Sequence, residues 1–226
     1  NELNGTDKNI TTVEDPVEYQ IAGINQVQVK PNIGLTFAMG LRAFLRQDPD
    51  ILLVGEIRDL ETAQICIKAA MTGHLVFSTL HTNDAPSAIN RLNDIGVELF
   101  LVVSSVIMVA AQRLIRKLCP KCKEAYKPNP ALLPENFKLE SPLLYKARGC
   151  PECSMTGYYG RSAIFEFMVM NDRLNELVIR KASLAEIRAE ARRAGMRTLE
   201  ESGYRKVNAG ETSLEEIMRI TITTTS

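Results

Sequence analysis

Tryptophan is absent from these 226 residues, histidine occurs only as His74 and His81, and aromatic side chains make up 6%. Proteins that grip single-stranded nucleic acid stack bases on aromatics interleaved with basic residues, and that pattern is missing. No charge of one sign is in excess: 27 basic and 27 acidic side chains cancel, which removes the basic footprint of a nucleic-acid binder. Residues 1–118 carry 10 basic and 13 acidic groups and the remainder 17 and 14, an asymmetry too weak to indicate a partner. No nucleic acid is therefore expected. Long apolar runs are also lacking. The longest, Leu99–Ala111, has 13 residues and contains Ser104 and Ser105, against the roughly 20 needed to span a bilayer. It reads as a buried core helix of a soluble chain. No basic segment leading into an apolar one opens the sequence, so no secretory signal is read. Five cysteines without an export signal argue for a metal site or isolated thiols rather than a disulfide framework.

What is present is a globular composition, 45% hydrophobic, with a strand–helix rhythm. Asn1–Gly5 reads as a helix end capped by Gly5. Ile10–Val13 is a β-branched run stopped by Pro16, and Val27–Val29 a short strand. Phe37, Leu41, Phe44 and Leu45 recur with helical spacing, so Thr36–Gln47 is predicted helical, ending at Asp48-Pro49. Ile51–Val54 and Leu75–Ser78 are continuous apolar runs, typical of strands buried on both faces of a parallel sheet. Asp59 is positioned to cap the helix between them. Glu98–Lys117 is predicted as one long helix. Ser183–Glu186 and Ser213–Glu216 both have capping-box spacing, and Thr221–Ser226 is expected to fray. The division this implies is an α/β core over 1–118, a Pro-, Gly- and Lys-rich segment over 119–163 and a helical region over 164–226.

Ligands of an open parallel sheet bind beyond the carboxyl ends of its strands. Glu14-Asp15, Glu56 and His81 each follow a predicted strand, so three strands deliver ionisable groups to one edge. Carboxylates gathered there repel one another unless a cation lies between them, and Mg²⁺ with a phosphate is the common solution. Arg42 and Arg46 are four residues apart and share a helix face, where like charges are unfavourable without an anionic partner. Arg58 adds a third guanidinium, whose planar fork suits phosphate oxygens. Cys119-Pro-Lys-Cys122 and Cys150-Pro-Glu-Cys153 form two knuckles that can wrap one tetrahedral ion, and four thiolates suit a closed, structural Zn²⁺ site. The 27 intervening residues must loop out. A pair of redox dithiols is the other reading. Cys66 stands alone at an apolar helix position.

These residues carry a resemblance. Thr12-Val-Glu-Asp-Pro-Val-Glu-Tyr19 resembles the Asp box of the secretion ATPase superfamily, Leu53-Val-Gly-Glu-Ile-Arg-Asp59 its Walker B segment, and Gly73-His-Leu-Val-Phe-Ser-Thr-Leu-His-Thr-Asn83 its His box. With Leu41–Asp50, the cysteine pairs and Gly210–Arg219, the likeness runs along the chain to ATPases that drive type II secretion and type IV pilus assembly. It implies a RecA-like, mostly parallel sheet core with an inserted tetracysteine element, and ATP, Mg²⁺ and Zn²⁺ as cofactors. Glu14 would orient or deprotonate the attacking water, Glu56 hold Mg²⁺ through water and His81 sense the γ-phosphate, with His74 and Thr79 in the same box. Arg42, Arg46 and Arg58 would stabilise charge or bridge subunits. The implied parent is a cytoplasmic hexamer attached peripherally to the inner membrane through secretion or pilus platform proteins. Ala191–Thr221, with Gly195–Leu199 and Lys206–Glu216, is closer to type II secretion; Gly23–Val29 and Asn83–Pro86 suit pilus assembly equally.

The family's phosphate-binding loop, Gly-x-x-x-x-Gly-Lys-Ser/Thr, is absent. The resemblance therefore implies a C-terminal fragment that alone hydrolyses ATP negligibly. Two other classes compete: a zinc-bearing binding module with relic motifs, opposed by Glu14, Glu56 and His81 all being present, and a zinc-ribbon nucleic-acid module, opposed by the neutral charge.

Overall fold

The computed structural model describes residues 2–222. Along the chain run β1 (Ile10–Glu14), β2 (Asn25–Gln28), α1 (Phe37–Phe44), β3 (Ile51–Val54), α2 (Leu60–Met71), β4 (Leu75–Ser78), α3 (Ala85–Ile95) and α4 (Leu99–Ser105). There follow β5 (Met108–Leu118), β6 (Glu124–Tyr126), β7 (Leu144–Lys146), β8 (Tyr158–Val169), α5 (Asp172–Ile179), α6 (Leu184–Arg193), α7 (Leu199–Asn208) and α8 (Leu214–Ile222). The chain separates into two units, each drawn from three stretches of sequence. The first takes the residues up to Thr82 with Ser87–Ile107 and Met170–Ala182; the second takes Asn83–Pro86, Met108–Val169 and those from Ser183 on.

The first unit is built on a parallel four-stranded sheet in the order β2-β1-β3-β4. Val13, Val54 and Val76 point from one face onto α1 and α2, where Leu41, Cys66, Phe37, Phe44 and Ile65 complete a core. Asp59 caps α2 as expected, its Oδ1 accepting from Thr62 N at 2.8 Å, and Thr36 caps α1. The opposite face is less covered. Leu53, Leu75 and Phe77 remain 36–41% exposed, so β4 is not the strand buried on both faces that its apolar run implied; it is a sheet edge. Two further expectations are corrected. Glu2 and Leu3 lie in a turn, and Gly5 is not among the left-handed glycines that cap helices. Helix α1 ends at Phe44, three residues short of Gln47.

The second unit is organised by the antiparallel pair β5–β8, with β6–β7 as a small second sheet. The single helix expected over Glu98–Lys117 is two elements. Ser104 and Ser105 turn their hydroxyls back onto Phe100 O and Leu101 O at the end of α4, a local bond that competes with helix continuation. Beyond Val106 the residues alternate, with Val109, Ala111, Arg113 and Ile115 inward and Met108, Ala110, Gln112 and Leu114 outward. That period of two serves pairing with β8, which overrides the helix propensity of Ala, Gln, Leu, Arg and Lys.

Ser183 and Glu186 form the expected capping box on α6, and Thr198 with Glu201 forms another on α7. Ser213 caps α8 through Glu216 N, but the Glu216 carboxylate does not reach back. It binds Arg116 and Arg219 instead. Thr221, expected to fray, lies in α8 and donates to Ile217 O; the rest of that tail, from residue 223, lies outside the described residues.

Candidate functional site

Parallel register sets the site. Val13 pairs with Val54 and Val54 with Ser78, so the segments beginning at Glu14, Gly55 and Thr79 leave the sheet side by side. Two crosslinks hold the last two together: Thr79 Oγ1 donates to Gly55 O at 2.6 Å and Ile57 N to Thr79 O at 3.1 Å. Gly55 N in turn donates to Val13 O at 2.8 Å. The carboxyl edge is thus a tied row, not three independent loops.

On that row Glu56 is the centre. Arg58 Nη2 donates to its Oε1 at 2.6 Å, and His81 Nε2 lies 3.2 Å from its Oε2. The Arg58 hydrogen bond, reinforced by the charges of Arg58 and His81, outweighs burial and lowers the Glu56 carboxyl below the usual carboxylate range. The Arg58 guanidinium is raised in return, by the Glu56 bond first and by the charge of Asp15 among the lesser causes. Glu56 exposes 13% of its side chain, against 64% for Arg58 and 84% for His81. The acid is sheltered while the Arg58 guanidinium and the His81 ring both face solvent, where an incoming anion can engage them.

Glu14 sits one strand over and is held from the other side. Its Oε1 accepts from Thr12 Oγ1 at 2.5 Å and from Gln26 Nε2 at 3.0 Å. Neither donor stood out in the sequence as a site residue. The signal was strand parity: Thr12 and Glu14 are two apart on β1, and Gln26 is the register partner of Thr12 on β2.

The remaining candidates do not join this row. His74 precedes β4 and so lies at the opposite strand end from Thr79 and His81. Its Nδ1 is 2.9 Å from Ala69 O and 3.2 Å from Thr72 Oγ1, contacts that close the C-terminus of α2. Arg42 pairs with Glu61 at 2.5 Å, both exposed. Arg46 falls beyond the end of α1, where Arg46 N donates to Ala43 O, so it does not share a helix face with Arg42 as the spacing predicted.

The four knuckle cysteines converge in the second unit. Cys119 follows β5 and Cys150–Cys153 precede β8, so pairing of these long strands brings the knuckles together. Cys119 N donates to Gly157 O at 2.9 Å just beyond the ladder. The intervening residues loop out through β6 and β7. All four Sγ atoms lie within 4.8 Å of one another, and three of the separations are 3.9, 3.8 and 3.7 Å. Four sulfurs at about 2.3 Å from a tetrahedral zinc would lie about 3.8 Å apart. Burial opposes the Cys153 thiolate, but N–H groups of Cys150 and Gly157 donating to its Sγ prevail and lower that thiol. Cys122 is raised, chiefly by burial. Gly157 adopts φ 75°, and a Cβ there would lie 2.5 Å from that of Ala147, so only glycine presents this N–H to the sulfur. The donor set fits Zn²⁺. Cys66 is buried and its thiol is pushed up to about 12 by burial, as a core residue.

The sequence model of the family described as "Type II/IV secretion system protein" matches residues 1–219. The chain belongs to that family. It is similar to the "Type II secretion system ATPase E" of Vibrio cholerae serotype O1, at 51% identity over 97% of this chain and 44% of that protein. It is also similar to the "Type IV pilus assembly ATPase PilB" of Thermus thermophilus, at 52% identity over 96% of this chain and 25% of that one. Among solved structures, the "Pilus Retraction Motor PilT and Bound ADP" matches 97% of this chain and 54% of its own, with 28% identity and a TM-score of 0.69. The chain spans less than half the length of these curated relatives. The mixed α/β fold with a parallel sheet and the tetracysteine cluster of this family member agree with the sequence reading. Among the described residues, no helix is long and apolar enough to cross a membrane.

Proposed function

We propose that this chain is the C-terminal ATPase-domain portion of a motor that couples ATP hydrolysis to type II protein secretion. The observation that carries it is the tied carboxyl edge, where Glu56 is held by Arg58 and His81 with Glu14 on the neighbouring strand. In phosphoryl transfer a protein mostly positions groups and stabilises charge. When ATP and Mg²⁺ are bound, the metal supplies charge neutralisation on the phosphate oxygens. His81 and Arg58, solvent-facing and each paired to Glu56, would turn toward the γ-phosphate. Both Glu56 oxygens would then be available to hold Mg²⁺ through water. Glu14, which takes no part in the Glu56 cluster, orients the attacking water. Thr79 keeps the two loops in register. Arg42 and Arg46, away from this row, are suited to bridging subunits of a hexamer.

Cys119, Cys122, Cys150 and Cys153 would hold Zn²⁺, which would tie the two knuckles of the second unit together. The motor works on the cytoplasmic side of the inner membrane, attached through platform proteins. Pilus assembly is the second reading, favoured by the pilus relative matching at 52% identity.

The test is steady-state ATP hydrolysis by the full-length protein. Glu56→Gln and Glu14→Gln are each expected to lower kcat by about a hundredfold or more, and the isolated 226-residue chain is expected to show no turnover. Activity retained in both variants would overturn the motor reading. Disruption of the gene in its host, scored for secreted protein and for surface pili, separates the two systems.

A further inference from the structure

We propose that Gln26, seconded by Thr12, is the positioning residue that aims the Glu14 carboxylate; this rests on Glu14 being the group that orients the attacking water. A glutamate on a strand end has three side-chain torsions and, unrestrained, would spread over several rotamers. Here a single oxygen is anchored twice, by Thr12 Oγ1 at 2.5 Å and Gln26 Nε2 at 3.0 Å. Oε2 carries no hydrogen bond to any described residue and is the atom left to face a water.

The Gln26 amide is itself fixed without ambiguity. Its Nε2 also donates to Tyr19 O at 3.0 Å, and its Oε1 accepts from Ile21 N at 2.7 Å. A flipped amide would set oxygen against a carboxylate and a carbonyl and NH₂ against an N–H, so only one orientation satisfies all three partners. Both anchors stand on paired strands, Thr12 on β1 opposite Gln26 on β2, and such elements hold a group more tightly than loops do. The chemistry at position 26 is narrow. Glutamate would set a second negative charge beside Glu14, and lysine would neutralise it with an ion pair; only a neutral double donor orients the carboxylate and leaves it available. Through Tyr19 and Ile21 the same side chain also fastens the 16–24 loop, so the reacting carboxylate and that loop share one clamp.

The test uses the full-length protein, with kcat and KM for ATP measured separately. Gln26→Leu and Thr12→Val are expected to lower kcat about tenfold or more while KM for ATP changes less than about twofold, the signature of lost alignment rather than lost binding. Thr12→Ser, which keeps the hydroxyl, restores most of the kcat lost in Thr12→Val. Glu14→Gln runs beside them. If it is inactive while Gln26→Leu and Thr12→Val keep normal kcat, the clamp is wrong and the role of Glu14 stands. If Glu14→Gln is fully active, the clamp falls with the reading beneath it. An arm that needs no variant uses the ¹⁵N-labelled full-length protein, in which the Gln26 side-chain amide hydrogens exchange slowly with solvent. An amide there that exchanges as fast as that of a free glutamine overturns the proposal even where a variant misfolds.

Discussion

Glu216 is fully buried and still charged. Arg116 donates to it through Nη2 at 2.6 Å, Nε at 3.0 Å and its backbone N at 3.0 Å, and Arg219 through Nη2 at 2.9 Å. Burial resists the charge, but the Arg219 and Arg116 hydrogen bonds prevail and hold the carboxyl at about 2. A carboxylate lowered in the folded state stabilises above its unfolded pKa and loses that contribution on acidification. The contribution is therefore complete above about pH 4.5, and falls away as pH drops toward 2. Thermal melts across that window should show Glu216→Gln losing about 2 kcal/mol at neutral pH, with a flatter acid dependence than the parent. Cys66 makes the contrasting case, a thiol raised to about 12 by its burial. Iodoacetamide at neutral pH should leave it unmodified in the folded chain, as mass spectrometry of the digest can check.

At the scale of elements, helix α7 meets α8 at Gly203. A Cβ there would stand 2.7 and 2.8 Å from Ile217 Cδ1 and Cγ2. Gly203→Ala should cost about 1–3 kcal/mol by overpacking, despite the better helix propensity of alanine. Urea unfolding measures the loss, and Ile217→Val, which removes Cδ1, should recover part of it. Elements whose signals are local were legible in the sequence: β1, β3 and β4 from their apolar runs, α2 from Asp59 and α6 from Ser183 and Glu186. Those set by distant partners were not. Ala110, Ala111, Gln112, Arg113 and Leu114 prefer helix, and only β8, some fifty residues on, makes them a strand. Glu216 has capping-box spacing, yet Arg116, a hundred residues earlier, claims its carboxylate. The candidate site divides the same way. Glu56 and His81 could be read from the segments that contain them, whereas Gln26 is visible only once β2 lies beside β1.

For the molecule as a whole, the cysteine cluster and the sheet govern behaviour in solution. Purified under reducing conditions, the chain should carry about one zinc per molecule. Chelation should lower the melting temperature and loosen the surroundings of Tyr145 and Tyr158, seen by near-ultraviolet circular dichroism, while Cys119→Ser should mimic it. Absence of zinc under those conditions would return the knuckles to the dithiol reading. The sheet of the first unit carries a different liability. One face is packed under α1 and α2, and the other shows Leu53, Leu75 and Phe77 to water. Such a surface is adhesive. A concentrated preparation should enhance the fluorescence of hydrophobic dyes and scatter light increasingly with time, and Phe77→Thr should keep it clear for longer, because the stickiness belongs to that bare half of the sheet rather than to any unfolded fraction.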